Sequence, residues 1–156
     1  MFEKDIPGFG PVRLEHLVSD FTGTLSMDGR LLPGVRERLN AIATFMKIHI
    51  LTADTFGMAK AELVAIPCDI IILTGDNHDL QKEAYVQNLD AQTVLAMGNG
   101  NNDRGMLKAA RVGVAISQGE GCAVDALFAA NLLVTSADIG LDLLLHPNRL
   151  KASLRF

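Results

Sequence analysis

The chain has 156 residues, 49% of them hydrophobic and 21% charged, with no Trp, one Tyr and a formal net charge of -4. That length fits one domain, expected to run over 1–156, and it is enough to bury roughly two-thirds of the unfolded surface. The acidic balance, without a basic run or an aromatic–basic stripe, argues against a nucleic-acid partner. No apolar run reaches transmembrane length and the start Met1-Phe2-Glu3-Lys4-Asp5 lacks a signal-peptide pattern, so no membrane partner is expected. Cys68 and Cys122 have no metal-type spacing and read as reduced core thiols of a cytoplasmic protein.

The Gly/Pro-rich stretch 1–13 reads as an extended lead-in. Leu14 to Val18 is an apolar run that predicts a buried strand ending at Asp20, followed by the turn formers and hydroxyls Thr22, Gly23 and Thr24. Leu25 to Leu32 is a polar turn around Asp28-Gly29. Pro33 suits a helix start, and Val35, Leu39, Ile42 and Phe45 follow a helical apolar period. Lys47 to Thr52 predicts a second strand, Thr55 to Ala65 a helix, Ile70 to Leu73 a third strand, and Leu80 to Leu89 an amphipathic helix. Val94 to Met97 is a strand running into Gly98-Asn99-Gly100-Asn101-Asn102-Asp103. A helix over 104–110, a strand over 112–116, a helix over 123–130, a strand over 132–135 and a helix beginning at Ile139 complete the alternation. Strands alternating with helices predict an α/β, three-layer Rossmann-like fold with a central parallel sheet, its carboxyl strand ends aligned at one edge.

Chemistry-bearing residues fall at those ends. Asp20 closes the first strand, where open α/β sheets bind ligands, and Gly23 allows a sharp turn behind it. A carboxylate there can serve as nucleophile or metal ligand, and both suit phosphoryl transfer; capping a turn is the plain structural alternative. Thr52 ends the second strand, where its hydroxyl could meet a phosphoryl oxygen or simply cap the next helix. Lys82 is either a compact phosphate-neutralising ammonium or solvated surface. The two glycines of Gly98–Asp103 permit close backbone approach, and its amide and carboxylate oxygens suit Mg²⁺; a polar turn is the alternative. A dinucleotide fingerprint fits poorly, since Asp103 stands where its last glycine belongs. The histidines show no ligand spacing; His16 and His49 are expected to be hydrogen-bonded near the sheet.

Asp20-Phe21-Thr22-Gly23-Thr24-Leu25 resembles the D-x-[DT]-G-T-L signature of haloacid dehalogenase-type phosphotransferases, and its T-G-T-L is closest to that of P-type ATPases. Thr52, Lys82 and the Gly98–Asp103 loop resemble the second, third and fourth motifs, in order. Thr52 is preferred over Thr74 of Leu73-Thr74-Gly75-Asp76, because Thr74 would leave no room for the helix between motifs two and three. The likeness runs from Leu14 to about Arg155 and includes His146-Pro147-Asn148-Arg149-Leu150, similar to small soluble P-type-ATPase-like phosphatases.

The resemblance implies a Mg²⁺-dependent phosphohydrolase acting through an aspartyl-phosphate on Asp20. Asp20, Thr22, Thr52 and Lys82 would be catalytic. Asp20, the Thr22 carbonyl, Asn99 and Asp103 would hold Mg²⁺, and Thr52, Lys82 and Asn102 would bind phosphate. The partner implied is a phosphorylated small molecule. Thr22 replaces the acid/base Asp of most phosphatases in the family, and Asn99 replaces a metal-binding Asp, which predicts weaker metal binding. No cap domain fits between the motifs, so the site is expected either to take a large substrate or to be closed in a homo-oligomer. The competing reading, favoured by Thr22 and Asn99, is a catalytically weak or inactive binding or regulatory module.

Overall fold

The computed structural model describes residues 1–54 and 57–156. The opening stretch is an antiparallel hairpin, β1 (Phe2–Ile6) and β2 (Gly10–Leu14), rather than a plain extended lead-in. Phe2, Ile6, Val12 and Leu14 are buried on its inner face. The Gly and Pro residues that read as irregular belong to its turn and its second strand.

β3 (His16–Asp20) follows, then a short hairpin of β4 (Ser26–Met27) and β5 (Arg30–Leu31) in place of the expected polar turn. Asp28 and Gly29 at its tip both take positive φ, 52° and 77°, the pairing that two-residue hairpins favour. Then come α1 (Val35–Ile42), β6 (Lys47–Thr52), α2 (Met58–Glu62), β7 (Asp69–Ile72), α3 (His78–Asn88), β8 (Val94–Gly98), α4 (Arg104–Ala109), β9 (Val112–Ile116), α5 (Val124–Ala129), β10 (Leu132–Val134), α6 (Ala137–Leu145) and α7 (Pro147–Leu154).

Of the helix expected over 55–65, residues 55–56 lie outside the described residues. The helical part is only Met58–Glu62, and Ala65 beyond it has φ 63°. The carboxylate of Asp54 accepts the Ala59 N–H at 2.7 Å near its start. The C-terminal helix is two helices. Pro147 opens α7 at a position where its missing N–H costs nothing, and it cannot continue α6.

Six strands form one parallel sheet in the order β10-β9-β8-β3-β6-β7. From β3 the chain adds β6 and β7 on one side, then crosses to lay β8, β9 and β10 on the other. The order therefore reverses between β3 and β8, which is where α/β sheets open a ligand crevice. Both faces are covered, so the inner strands are apolar along their length. Leu17, Ile48, Leu95 and Val114 meet α1, α6 and α7 on one face. Val18, Leu51 and Ala96 meet α3, α4 and α5 on the other. In register, Asp20 pairs with Leu51 and Ser19 with Met97, so Thr52 and Asn99 emerge beside Asp20 at the carboxyl edge.

Two polar ties hold the layers. His16 Nδ1 lies 3.0 Å from His49 Nε2, and His49 Nδ1 lies 3.0 Å from the Tyr85 hydroxyl, as expected of hydrogen-bonded histidines near the sheet. On the other face Arg38 of α1 donates Nε to Asp142 Oδ1 of α6 at 2.7 Å, and Arg149 of α7 donates to Asp142 Oδ2 at 3.0 Å. The Arg38 hydrogen bonds outweigh partial burial and hold the Asp142 carboxyl below its ordinary range. Asp142→Asn should lower stability at neutral pH by about 1–2 kcal/mol. Because the folded carboxyl titrates below the unfolded value of 3.8, its contribution is complete above that value and is lost as pH falls through the folded one. Urea unfolding should therefore show the two proteins converging in acid. A gap that persists there would remove the charge from the explanation.

Candidate active site

The carboxyl edge of β3, β6 and β8 opens into a cavity of about 600 Å³, lined by Asp20, Thr22, Thr52, Lys82, Asn99 and Asn102 among others. Asp20 is the last residue of β3 and is buried. The loop after it doubles back on itself: the Thr24, Leu25 and Ser26 amides all donate to the Phe21 carbonyl. Gly23, at φ 77°, makes that bend. A Cβ there would also lie 2.5 Å from Asn99 Nδ2, so the loop can approach the β8 loop only with glycine at this place.

Lys82 is the centre of the site. It sits in the second turn of α3, on the buried face with Val86, and its side chain is 1% exposed. Nζ donates to Asp20 Oδ1 at 2.8 Å and to Asp103 Oδ1 at 2.7 Å. Burial alone would push the ammonium down, but the two carboxylates hold it above its ordinary range. Asp103 is wholly buried, and its Oδ2 accepts the N–H groups of Asn99 and Gly100 at 2.9 and 2.8 Å. Burial first, and the Asp103 carboxylate second, push the Asp20 carboxyl up to about 7, against the pull of Lys82 and the Thr24 hydroxyl.

Thr24 joins the two loops. Its hydroxyl lies 3.1 Å from Asp20 Oδ2 and 3.2 Å from Asn99 Oδ1, donating to both acceptors. The other end of the Asn99 amide donates to the Gly121 carbonyl at 3.1 Å. Thr52 accepts the Asp54 N–H at 3.2 Å on its hydroxyl, which leaves its own proton to point elsewhere. Thr74, the alternative of the same local sequence, is exposed, and its backbone is clasped by the Gln81 amide. Thr22 is exposed at the cavity wall, and Asn102 is exposed at its rim.

Sequence reading missed two of the groups that build the site. Thr24 was legible only as part of the turn. Gln118, after β9, donates Nε2 to the Thr24 and Gly23 carbonyls at 2.7 and 3.3 Å and accepts the Ala137 N–H at 2.9 Å. It thereby ties the loop after β3 to the start of α6. A glutamine after a strand carries no sequence signal for that task. His78, whose sequence gave no hint of a role, also lines the cavity; its Nε2 is buried with no hydrogen-bond partner among the described residues.

The donor chemistry suits a hard divalent cation. Asp20 Oδ2 and Asn99 Oδ1 converge on the single Thr24 hydroxyl, and Thr22 lines the same cavity, so oxygen atoms dominate. Among the described residues no three His, Cys, Asp or Glu side chains gather as a ligand group. Asp103, expected among the metal ligands, has Oδ1 on Lys82 and Oδ2 on two backbone amides.

Residues 77–134 match the model of the haloacid dehalogenase-like hydrolases. An uncharacterized protein of Methanocaldococcus jannaschii is 40% identical over 62 residues, which are 40% of this chain and 67% of that one. A probable copper-transporting ATPase of Arabidopsis thaliana is 31% identical over 130 residues, 78% of this chain; the chain spans only 13% of that protein's length. Among solved structures, a 3-deoxy-D-manno-octulosonate 8-phosphate phosphatase from Moraxella catarrhalis, in complex with magnesium and phosphate ions and the sugar acid, superposes with a TM-score of 0.70 at 15% identity, covering 89% of this chain and 90% of that one. The corresponding phosphatase of Yersinia pestis gives a TM-score of 0.67 at 14% identity over 97% and 94% of the two chains. The chain belongs to the haloacid dehalogenase-like hydrolases. Its fold is theirs, a parallel sheet with helices on both faces and, among the described residues, no cap domain. No described helix is long and apolar enough to cross a membrane.

Removing the ammonium should be costly in a pH-dependent way. Lys82→Met leaves two buried carboxylates facing each other, a loss of about 3–5 kcal/mol. Without Lys82 the Asp20 carboxyl, already raised by burial and by Asp103, loses the pull that lowers it, so stability is recovered by protonation at low pH and lost as pH rises. Denaturant titrations should show a larger deficit at about pH 8 than at about pH 5. An equal deficit at both would mean that lost packing, not charge, dominates.

Proposed function

We propose that the chain is a Mg²⁺-dependent phosphohydrolase that hydrolyses a phosphorylated small molecule through a phosphoryl group carried on Asp20. The observation that carries the proposal is the buried Lys82 ammonium, 2.8 Å from Asp20 and 2.7 Å from Asp103, at the edge where the sheet order reverses. An ammonium in that place neutralises an incoming phosphoryl group and fixes the nucleophile's orientation. The solved phosphatases of the same fold, one with magnesium and phosphate ions and another in a cobalt-bound form, favour the same chemistry.

Asp20 Oδ attacks phosphorus, the bond to the leaving oxygen breaks, and a proton must reach that oxygen. Water then attacks the aspartyl phosphate, releasing phosphate and restoring the carboxylate. Thr52 and Asn102 line the cavity where the phosphoryl oxygens would lie, and Lys82 balances their charge. Asp20, Asn99 and the Thr22 carbonyl would hold Mg²⁺, which when bound shields the charge on the phosphoryl oxygens. Asp103 serves chiefly to anchor Lys82. Thr22 offers no carboxylate for the proton transfers, a contribution typically worth ~10²–10⁴-fold, so turnover is slow and the second step slower than the first.

Asp20→Asn should abolish phosphate release from phosphomonoesters while leaving the circular dichroism spectrum unchanged. Retained release would rule out covalent catalysis on this residue. With acetyl phosphate as donor, acid-quenched wild-type protein should carry a phosphate adduct on the Asp20 peptide by mass spectrometry, and Thr22→Asp should shorten its lifetime. Fast turnover without an adduct would refute the assigned consequence of Thr22. The second reading, a binding module without turnover, draws on the neutral Asn99 amide, which is hydrogen-bonded at both ends. It predicts neither adduct nor release with any donor.

A further inference from the structure

The depth and the mouth of the cavity differ in charge. In its depth the buried Lys82 ammonium stands between Asp20 and Asp103. Among the described residues that line the cavity, Lys82 is the single lysine or arginine; His78 is the other basic side chain, and its Nε2 is buried. Nearer the solvent the lining carries three further carboxylates, the exposed Asp28 and Glu120 and the half-buried Asp54. They come from three separate segments: the tip of the β4–β5 hairpin, the loop after β9 and the end of β6. Among the described residues none of the three forms an ion pair.

Two of these carboxylates are fixed by backbone N–H groups, which orient them without cancelling their charge. Asp54 accepts the Ala59 N–H at 2.7 Å, and Glu120 accepts the Asp28 N–H at 3.3 Å. The second bond joins the hairpin tip to the loop after β9. The same tip meets α2, because a Cβ on Gly29 would lie 2.5 Å from Met58 Cε. The tip thus spans two sides of the mouth and narrows the space beyond the phosphoryl group. Phe21, Met58 and Leu73 supply apolar surface there.

A phosphoryl group finds Lys82 in the depth of the cavity. A second anion on the leaving group would find no cation of its own, and it would face like charges between walls of low dielectric that focus their field. A cation in the same place would be drawn in. We propose that the substrate is the phosphomonoester of a compact, amine-bearing alcohol, and that the unpaired carboxylates of Asp28, Asp54 and Glu120 select it against anionic esters. The proposal rests on the reading of the cavity as a phosphoryl-transfer site.

The test is phosphate release by the full chain, at fixed Mg²⁺, from three esters of similar size: 2-aminoethyl, 2-hydroxyethyl and carboxymethyl phosphate. The value of kcat/KM should fall in that order, with about a tenfold span between the first and the last. Added KCl should narrow the span, as screening weakens charge selection. The doubly substituted D28N/E120Q protein should reduce it severalfold. Gln at 120 keeps an acceptor for the Asp28 N–H, and Asn tolerates the φ of 52° at position 28. If the double variant does not fold, the salt dependence of the wild type still decides whether charge sets the order. Equal values for the three esters, or the highest value for carboxymethyl phosphate, would overturn the proposal and leave the phosphohydrolase reading standing. A span unchanged by salt or by D28N/E120Q would overturn the assignment to these carboxylates. No phosphate release from any of the esters or from acetyl phosphate would overturn the phosphohydrolase reading and this proposal together.

Discussion

The structure turns on one buried ammonium between two buried carboxylates. Lys82 reaches Asp20 at the end of β3 and Asp103 in the loop after β8, so it ties α3 to both sides of the point where the sheet reverses. None of these charges could be buried alone, since desolvation would neutralise it. Together they are tolerated because each carboxylate oxygen has a partner: Lys82 for one oxygen of each, Thr24 for the other of Asp20, and two backbone amides for the other of Asp103. The balance is still visible in Asp20, whose carboxyl stays near neutrality instead of in the ordinary acid range. A group poised in that way, inside a cavity, is the usual mark of a reactive centre.

The rest of the molecule keeps those three residues in place. Covering both faces of the sheet makes the strands rigid and leaves their carboxyl ends as the open edge. The 118–123 segment then reaches back to that edge. Gln118 holds the carbonyls of Gly23 and Thr24, Gly121 holds the Asn99 amide, and Ala123 holds the Asn99 backbone. The loops after β3 and β8 are thus positioned by a third loop.

The departures from a two-aspartate, charged-ligand site point the same way. Thr22 is exposed and carries no proton-transfer group, and Asn99 supplies oxygen without charge. Asp28 and Glu120 line the same cavity but are exposed, with Glu120 accepting the Asp28 N–H at 3.3 Å. The half-buried Asp54 lines it too, so the Lys82 ammonium stands among several carboxylates around the cavity, in a fold shared with phosphatases of well under 25% identity.

How much of this was legible beforehand follows the range of the interactions. The sequence alone determined the parallel α/β fold, because doubly covered strands must be apolar throughout and helices must show their own period. It also singled out Asp20, Thr52, Lys82 and the Gly98–Asp103 loop, whose residue types and order are local facts. It misread the opening hairpin and the break at Pro147, where Gly and Pro punctuate elements instead of ending them. The tertiary structure alone decided that Lys82 is buried rather than solvated, since a lysine's burial depends on which carboxylates the sheet brings to it. It decided that Asp103 faces Lys82 and the backbone amides. It also decided that Gln118, 94 residues from Thr24, shapes the loop after Asp20. Long-range partners of this kind leave no trace in local pattern, because a side chain's hydrogen bonds are fixed only once the strand order has placed its neighbours.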